Sequence, residues 1–366
     1  MANVIKVLQL QQKYSAGINT VANMIIEALP CDRYTVTMAY LEGRPEVIKD
    51  NTYLFSFSSQ ECRGLRRNVK SKLLEFCREE EFDIVIAHRF KSIDILTSVV
   101  SRLKIKKAIA VIHGVGDYNR WYRKVSANYY FSSRWSVVAV SSFTESYLKR
   151  SAKIFRSGMV QVIPNAIDVK SLCDGFLSRE KSRDLFGINN DDFVFGAHGR
   201  LKYIKGYDYL LRAFSHVAMR HDRARLLLIG DGPDMLVLKE IAQELGVERQ
   251  VIFSGYIEGA NRYLRALDVF VMPSRSEGLS ISLLEAMAAR LPLLISDIVP
   301  VVSVAPAVAA SMPVGDVVQW QSAMLDLLVL DDDARAKLAD ASFKQACDKF
   351  DKEEFLKSYN KLIALL

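Results

Sequence analysis

The sequence predicts an α/β protein made of two doubly wound parallel-sheet domains, and three observations carry that expectation. The chain has 366 residues and 41.3 kDa, too long for one ordinary core and suited to two domains of roughly 150 to 200 residues. Apolar runs of strand length recur along it, continuous rather than alternating, as expected of parallel strands covered on both faces. The pattern passes once through the first half and then starts again.

In chain order, the first set of runs is VIKVLQL (4–10), YTVTMAYL (34–41), DIVIAH (83–88), AIAVIH (108–113), SVVAVS (136–141) and VQVIP (160–164), most of them separated by stretches with helical spacing. After IPNAID (163–168) and a charged helical stretch come FVFGAHG (193–199), RLLLIGDG (225–232), VIFSGY (251–256), VFVMPS (269–274) and LPLLIS (291–296). The expected boundaries are therefore 1–168 for a first domain and 169–349 for a second. The last segment, 331–366, reads as helical, with an acidic first turn that suits the positive end of a helix dipole. Its end, about 350–366, is free to pack back on the first domain.

Composition narrows the function. Half of the residues are apolar and a quarter charged, and no apolar run approaches the roughly 18 residues that a membrane span requires. The opening MANVIKVLQL lacks the basic start, long apolar stretch and cleavage site of a secretory signal. Five scattered cysteines without a CxxC argue against a disulfide frame or a thiolate zinc site, and a reducing cytosol is the expected compartment. The net charge of +7 is uneven: residues 1–168 carry 25 Lys and Arg against 15 Asp and Glu, a net +10, and the remainder carries −3. Runs such as RGLRRNVKSK (63–72), KIKK (104–107) and YNRWYRK (118–124) suit an anionic membrane face, a phosphorylated acceptor or nucleic acid, and equally a plain solvated surface.

In open parallel sheets ligands bind outside the carboxyl ends of strands, so the residues closing each run come first. DIVIAH ends in His88 and AIAVIH in His113, which stands in the glycine-flanked HGVGD; FVFGAHG leads into Arg200, and VFVMPS into Arg275 and Glu277. The first run leads into a helix opened by Gly17, where the missing Cβ lets a phosphate approach free amides. In GRLKYIKGYDYLLRAF (199–214), Arg200 follows a strand and Lys205 precedes a helix, so two cations meet on one loop and suit a diphosphate. In SEGLSISLLEAMAARLPLLIS (276–296), Glu277 stands in a loop before a helix whose stripe is Leu283, Leu284, Met287 and Ala288. Glu285 falls beside that stripe. Two carboxylates so placed can accept hydrogen bonds from the hydroxyls of sugars, as an acidic residue does for ribose in nucleotide-binding domains, while the Gly278 and Leu279 amides face a phosphate. Either acid alone also reads as a loop cap or a partner of the helix dipole.

SEGLSISLLEAMAARLP together with GRLKYIKG, LLLIGDGP, VIFSGYI and VIPNAID resembles the retaining GT-B glycosyltransferases of family 4. The resemblance covers nearly the whole second half in order, and in the first half rests on Gly17, His113 and the strand layout. It implies two Rossmann-like domains facing a cleft that closes on a nucleotide-diphosphate sugar. By that resemblance Glu277 meets the hydroxyls of the donor sugar, Glu285 the ribose, Arg200 and Lys205 the diphosphate and Gly17 the phosphate; His113 lies near sugar and acceptor. The base would be met by backbone around Tyr256 and Ile257. The sequence departs from the family pattern at SAG in the first loop, at Asn165-Ala166, and after LISDI, where VPVVSVAPAVAASMPVGD lacks an acid often found there.

The resemblance further implies transfer with retained configuration. No carboxylate stands out as a nucleophile for double displacement, so front-face return is preferred, with the departing diphosphate taking the acceptor proton. No metal or other cofactor is expected. The expected acceptor is a lipid-linked or phosphorylated glycan, such as lipopolysaccharide core, met at the cytoplasmic membrane face. A sugar-nucleotide epimerase, a phosphorylase and a silent scaffold share the fold and stay open as alternatives. A basic nucleic-acid-binding protein would leave both acids unused and has no recognition module here, so a nucleic-acid partner is not expected.

Overall fold

The computed structural model describes residues 4–14, 16–43, 51–305 and 309–364. The chain forms two compact units, one made of Met1–Asn165 with Glu353–Leu366 and the other of Ala166–Lys352.

In the first unit the strands among the described residues are β1 (Ile5–Gln11), β2 (Tyr34–Tyr40), β3 (Thr52–Leu54), β4 (Ile84–His88), β5 (Lys107–Ile112), β6 (Trp135–Ala139) and β7 (Val160–Val162). They form one sheet in the order β3-β2-β1-β4-β5-β6-β7, and every pairing is parallel. Helices α1 (Ala16–Glu27), α2 (Arg67–Glu80), α3 (Arg89–Val100), α4 (Trp121–Tyr130) and α5 (Ser142–Ser151) make the crossovers. The central strands are buried on both faces: Val85, Ile86, Ile109, Ala110, Val137 and Val138 have no exposed surface. That is why they read as unbroken apolar runs. The strand order reverses between β1 and β4, which opens a crevice beyond their carboxyl ends.

The second unit repeats the plan. Strands β8 (Phe193–His198), β9 (Ala224–Ile229), β10 (Val251–Gly255), β11 (Val269–Met272), β12 (Leu293–Ser296) and β13 (Ala309–Met312) stand in the order β10-β9-β8-β11-β12-β13, again all parallel. Helices α6 (Val169–Gly175), α7 (Arg179–Phe186), α8 (Tyr207–Ala218), α9 (Met235–Glu244), α10 (Ile281–Ala288), α11 (Val299–Val302), α12 (Val317–Val329) and α13 (Asp332–Phe350) accompany them. Here the order reverses between β8 and β11. These two strands are tied at their entry by Asp268, whose carboxylate accepts from the Val194 amide at 2.7 Å and from Arg183 and Arg179 at 2.8 and 2.6 Å. Arg183 is fully buried and also donates to the carbonyls of Ala266, Asn189, Asn190 and Asp192. A buried cation is tolerated because each of these bonds replaces one lost to water.

Three expectations change. Strands β3 and β13 carry no apolar run and were not anticipated; each is an edge strand of three or four residues, only partly buried, so packing imposes no apolar pattern on it. The helical stretch 331–366 is two helices, α13 and α14 (Lys352–Ala364). Asp351 breaks it in extended backbone, and its carboxylate accepts from the Val169 amide at 3.1 Å. Helix α14 returns to the first unit, where the Asn360 amide donates to the Ala28 carbonyl at 3.0 Å and Lys107 donates to that of Leu362. Finally, α10 is buried all round rather than along one stripe, with Ala286 and Leu283 unexposed and Glu285 at 9%.

Candidate active site

The carboxyl ends of β8 and β11 carry the loops that hold most of the expected residues. Past β8, Arg200 and Leu201 lead to a 3-10 turn over Tyr203–Lys205, and Gly206 in left-handed backbone (φ 72°) turns the chain into α8. Only glycine fits there, because a Cβ would stand 1.9 Å from the Pro273 carbonyl oxygen. The two loops are thus pressed together backbone to backbone. Arg275 clamps them further. Its amide donates to the Ile204 carbonyl at 2.8 Å, and its guanidinium forks onto Asp208 at 2.7 and 2.8 Å. It also donates to the Tyr203 carbonyl at 2.7 Å and lies 4.0 Å from the centre of the Tyr203 ring. Burial pushes the Asp208 carboxyl up, but the Arg275 hydrogen bonds and charge outweigh it and hold the group below its usual range.

Within this frame Lys205 Nζ donates to Glu277 Oε1 at 2.6 Å, and Ser274 Oγ donates to the same oxygen at 2.7 Å. Glu277 Oε2 makes no hydrogen bond with a described residue. One oxygen of the carboxylate is therefore fixed and the other is open. Three residues on, Ser280 stands at the N-cap of α10 without a side-chain cap; its Oγ pairs instead with Ser282 Oγ at 3.0 Å. The first amides of α10 keep the positive end of the helix dipole uncapped by a side chain. Gly278 and Leu279 are buried between Glu277 and that helix end.

Glu285 is in the first turns of α10, where Asn261 Nδ2 donates to its Oε1 at 3.2 Å and His198 Nδ1 lies 3.3 Å from Oε2 without hydrogen-bond geometry. Arg200 is exposed and forms no ion pair with a described residue. Arg200 and Lys205 both lie on the loop between β8 and α8; the Lys205 ammonium is turned onto Glu277, because a half-buried cation beside a half-buried acid is better paired than left alone. Ile257 is half-buried just past β10. Among the described residues no cluster of His, Cys, Asp or Glu is arranged to hold a metal ion.

In the first unit Gly17 falls in the first turn of α1; Ser15 before it and the side chains of 16–18 lie outside the described residues. His113 follows β5, and its Nε2 is 3.0 Å from Nδ1 of His88, which closes β4. Ser274, Asn261 and His198 had no assigned place from sequence. Ser274 and His198 do close apolar runs, which is a usable signal; Asn261 sits in a 3-10 segment with no pattern around it.

Two doubly wound units, with a lysine and an acid joined over the strand-order reversal of the second and an uncapped helix end beside them, define the GT-B class of glycosyltransferase. Residues 178–344 match the family described as Glycosyl transferases group 1, and residues 15–171 match Glycosyltransferase Family 4. The chain belongs to the family 4 glycosyltransferases. EpsF of Bacillus subtilis is 35% identical over 138 residues, which is 38% of this chain and 36% of that protein. A UDP-Gal:alpha-D-GlcNAc-diphosphoundecaprenol alpha-1,3-galactosyltransferase of Escherichia coli is 24% identical over 298 residues, covering 77% of this chain and 76% of that one. HepE of Anabaena, solved in complex with UDP and glucose, superposes with a TM-score of 0.83 at 18% identity over 99% of this chain and 100% of that one. At that identity the likeness speaks for the fold.

Proposed function

We propose that the protein moves a hexose from a nucleotide-diphosphate donor to a hydroxyl of a lipid-linked glycan or glycolipid, with retention. The observation that carries this reading is the Lys205–Glu277 pair with the open Glu277 Oε2 beside the α10 N-terminus. A diphosphate would draw Lys205 off Glu277 and, with Arg200 and the Gly278 and Leu279 amides, gather its charge there; the freed carboxylate then accepts from sugar hydroxyls. Glu285 holds the ribose, and backbone at Ile257 meets the base. The roles carried to the first unit, Gly17 for phosphate and His113 for sugar and acceptor, belong to the same proposal, as does a reaction without metal.

The departing diphosphate, neutralised by Lys205 and Arg200, takes the acceptor proton, which fits the lack of an obvious carboxylate nucleophile. For the acceptor, the galactosyltransferase relative of Escherichia coli acts on a GlcNAc-diphosphoundecaprenol lipid. Helix α4 adds a surface argument: Trp121, Val125 and Tyr129, spaced by four, are 76%, 58% and 80% exposed on one face, among Arg120 and Lys124. An aromatic stripe flanked by cations suits an anionic bilayer at the inner face of the cytoplasmic membrane, although no helix among the described residues is long and apolar enough to cross one.

The test is a thermal-shift panel of UDP, GDP, ADP and dTDP sugars on wild type and Glu285→Ala, followed by NMR of the product anomer in EDTA. One donor should stabilise wild type and not the variant, and give the donor's anomeric configuration. No stabilising donor, an inverted product or loss of turnover in EDTA would each remove part of the reading.

A further inference from the structure

The rings of His88 and His113 approach at 3.0 Å between Nδ1 and Nε2. His88 is 1% exposed, and its other nitrogen, Nε2, is buried without a partner among the described residues. It is followed by Arg89 in left-handed backbone (φ 63°), an unfavourable conformation for a side chain of that size. His113 Nδ1 has no hydrogen-bond partner among the described residues.

Burial, then the charge of Arg89, holds His88 at about 3. Burial, then His88 and Arg89, holds His113 well below its ordinary value. Both rings are therefore neutral at pH 7, each with one N–H and one lone pair. Two arrangements satisfy the contact. If His113 donates from Nε2, the His88 proton must sit on its own Nε2, as a buried N–H with no acceptor. If His88 donates from Nδ1, its Nε2 is a bare lone pair. An orphaned buried donor is the rarer and costlier defect, so the second arrangement holds.

We propose that His88 is a positioning residue that locks His113 in the tautomer protonated on Nδ1, so that His113 presents a donor there and not an acceptor. The role rests on the proposed glycosyl transfer only in its consequence. A His113 so locked donates to an oxygen of the sugar or acceptor and cannot accept the acceptor proton, which leaves that proton to the diphosphate.

The experiment is nitrogen-15 NMR of the full chain labelled at histidine, in wild type, His88→Ala and His88→Asn, with His113→Gln to assign the signals. Wild type should show His113 with Nε2 unprotonated and Nδ1 protonated. His88→Ala should move the proton to Nε2, and His88→Asn, whose amide can donate from the position of Nδ1, should restore the wild-type pattern. In transfer assays His88→Ala should lower kcat about tenfold at unchanged donor KM, with recovery in His88→Asn. A wild-type His113 protonated on Nε2 would overturn the proposal, even if His88→Ala fails to fold. So would a tautomer that His88→Ala leaves unmoved. The tautomer is read without turnover, so absence of transferase activity would count against the proposed function alone.

Discussion

Lys205 Nζ and Glu277 Oε1 meet at 2.6 Å between the loops that follow β8 and β11. Both side chains are largely buried, 21% and 12% exposed, so removing one partner leaves the other's charge poorly solvated and costs stability. Its separate duties predict a diagnostic result. Lys205→Ala and Glu277→Ala should each lower kcat by about 100-fold to 1000-fold and also melt earlier than wild type. The exchanged variant Lys205→Glu with Glu277→Lys restores the pair but should not restore turnover. Recovery in that exchange, followed by steady-state kinetics, would mean that the pair is only a structural bridge.

Arg275 acts on the same loops from behind. Removing it takes away a two-pronged ion pair with Asp208, a carbonyl contact and a ring contact, a loss of about 1 to 3 kcal/mol. Arg275→Ala should melt earlier and raise donor KM about tenfold as the Lys205 and Glu277 loops part. Arg275→Lys should recover little, because an ammonium neither forks nor stacks in the same way. Combining Arg275→Ala with Asp208→Asn should cost less than the sum, which chemical denaturation would measure.

The stripe on α4 makes a prediction separable from the donor site. Trp121→Ala with Tyr129→Ala should abolish sedimentation with vesicles of anionic lipid while leaving donor-induced thermal shifts intact. Binding by wild type should also weaken with salt. Vesicle binding that survives both the double substitution and high salt would place the membrane contact elsewhere or deny it.

Acid should destabilise the first unit. His88 and His113 have folded values below the ordinary 6.5. Above that value both states are neutral and the pair contributes no pH dependence. As pH falls below it, the unfolded chain takes up protons that the folded chain refuses, so stability falls, by at most about 1.4 kcal/mol per pH unit for each ring. Calorimetry from pH 7.5 to 5.5 should show this fall, and His88→Asn should flatten it. An unchanged slope in the variant would assign the acid sensitivity to other groups.

The succession of the main strands, the restart of the pattern near 163–168, the loops carrying Arg200, Lys205 and Glu277 and the helix carrying Glu285 were all legible in the letters. Buried parallel strands must be apolar throughout, and ligand loops must follow their carboxyl ends. The letters alone also carried the family resemblance and the basic bias of the first half. Tertiary structure alone decided that Lys205 turns onto Glu277 and not toward Arg200, that Arg275 clamps two loops 67 residues apart, and that His88 faces His113. The break at Asp351 and the edge strands β3 and β13 were likewise hidden. Each depends on which groups distant in sequence meet once the sheets are built, or on positions where a strand needs no apolar side chain, and neither leaves a periodic trace along the chain.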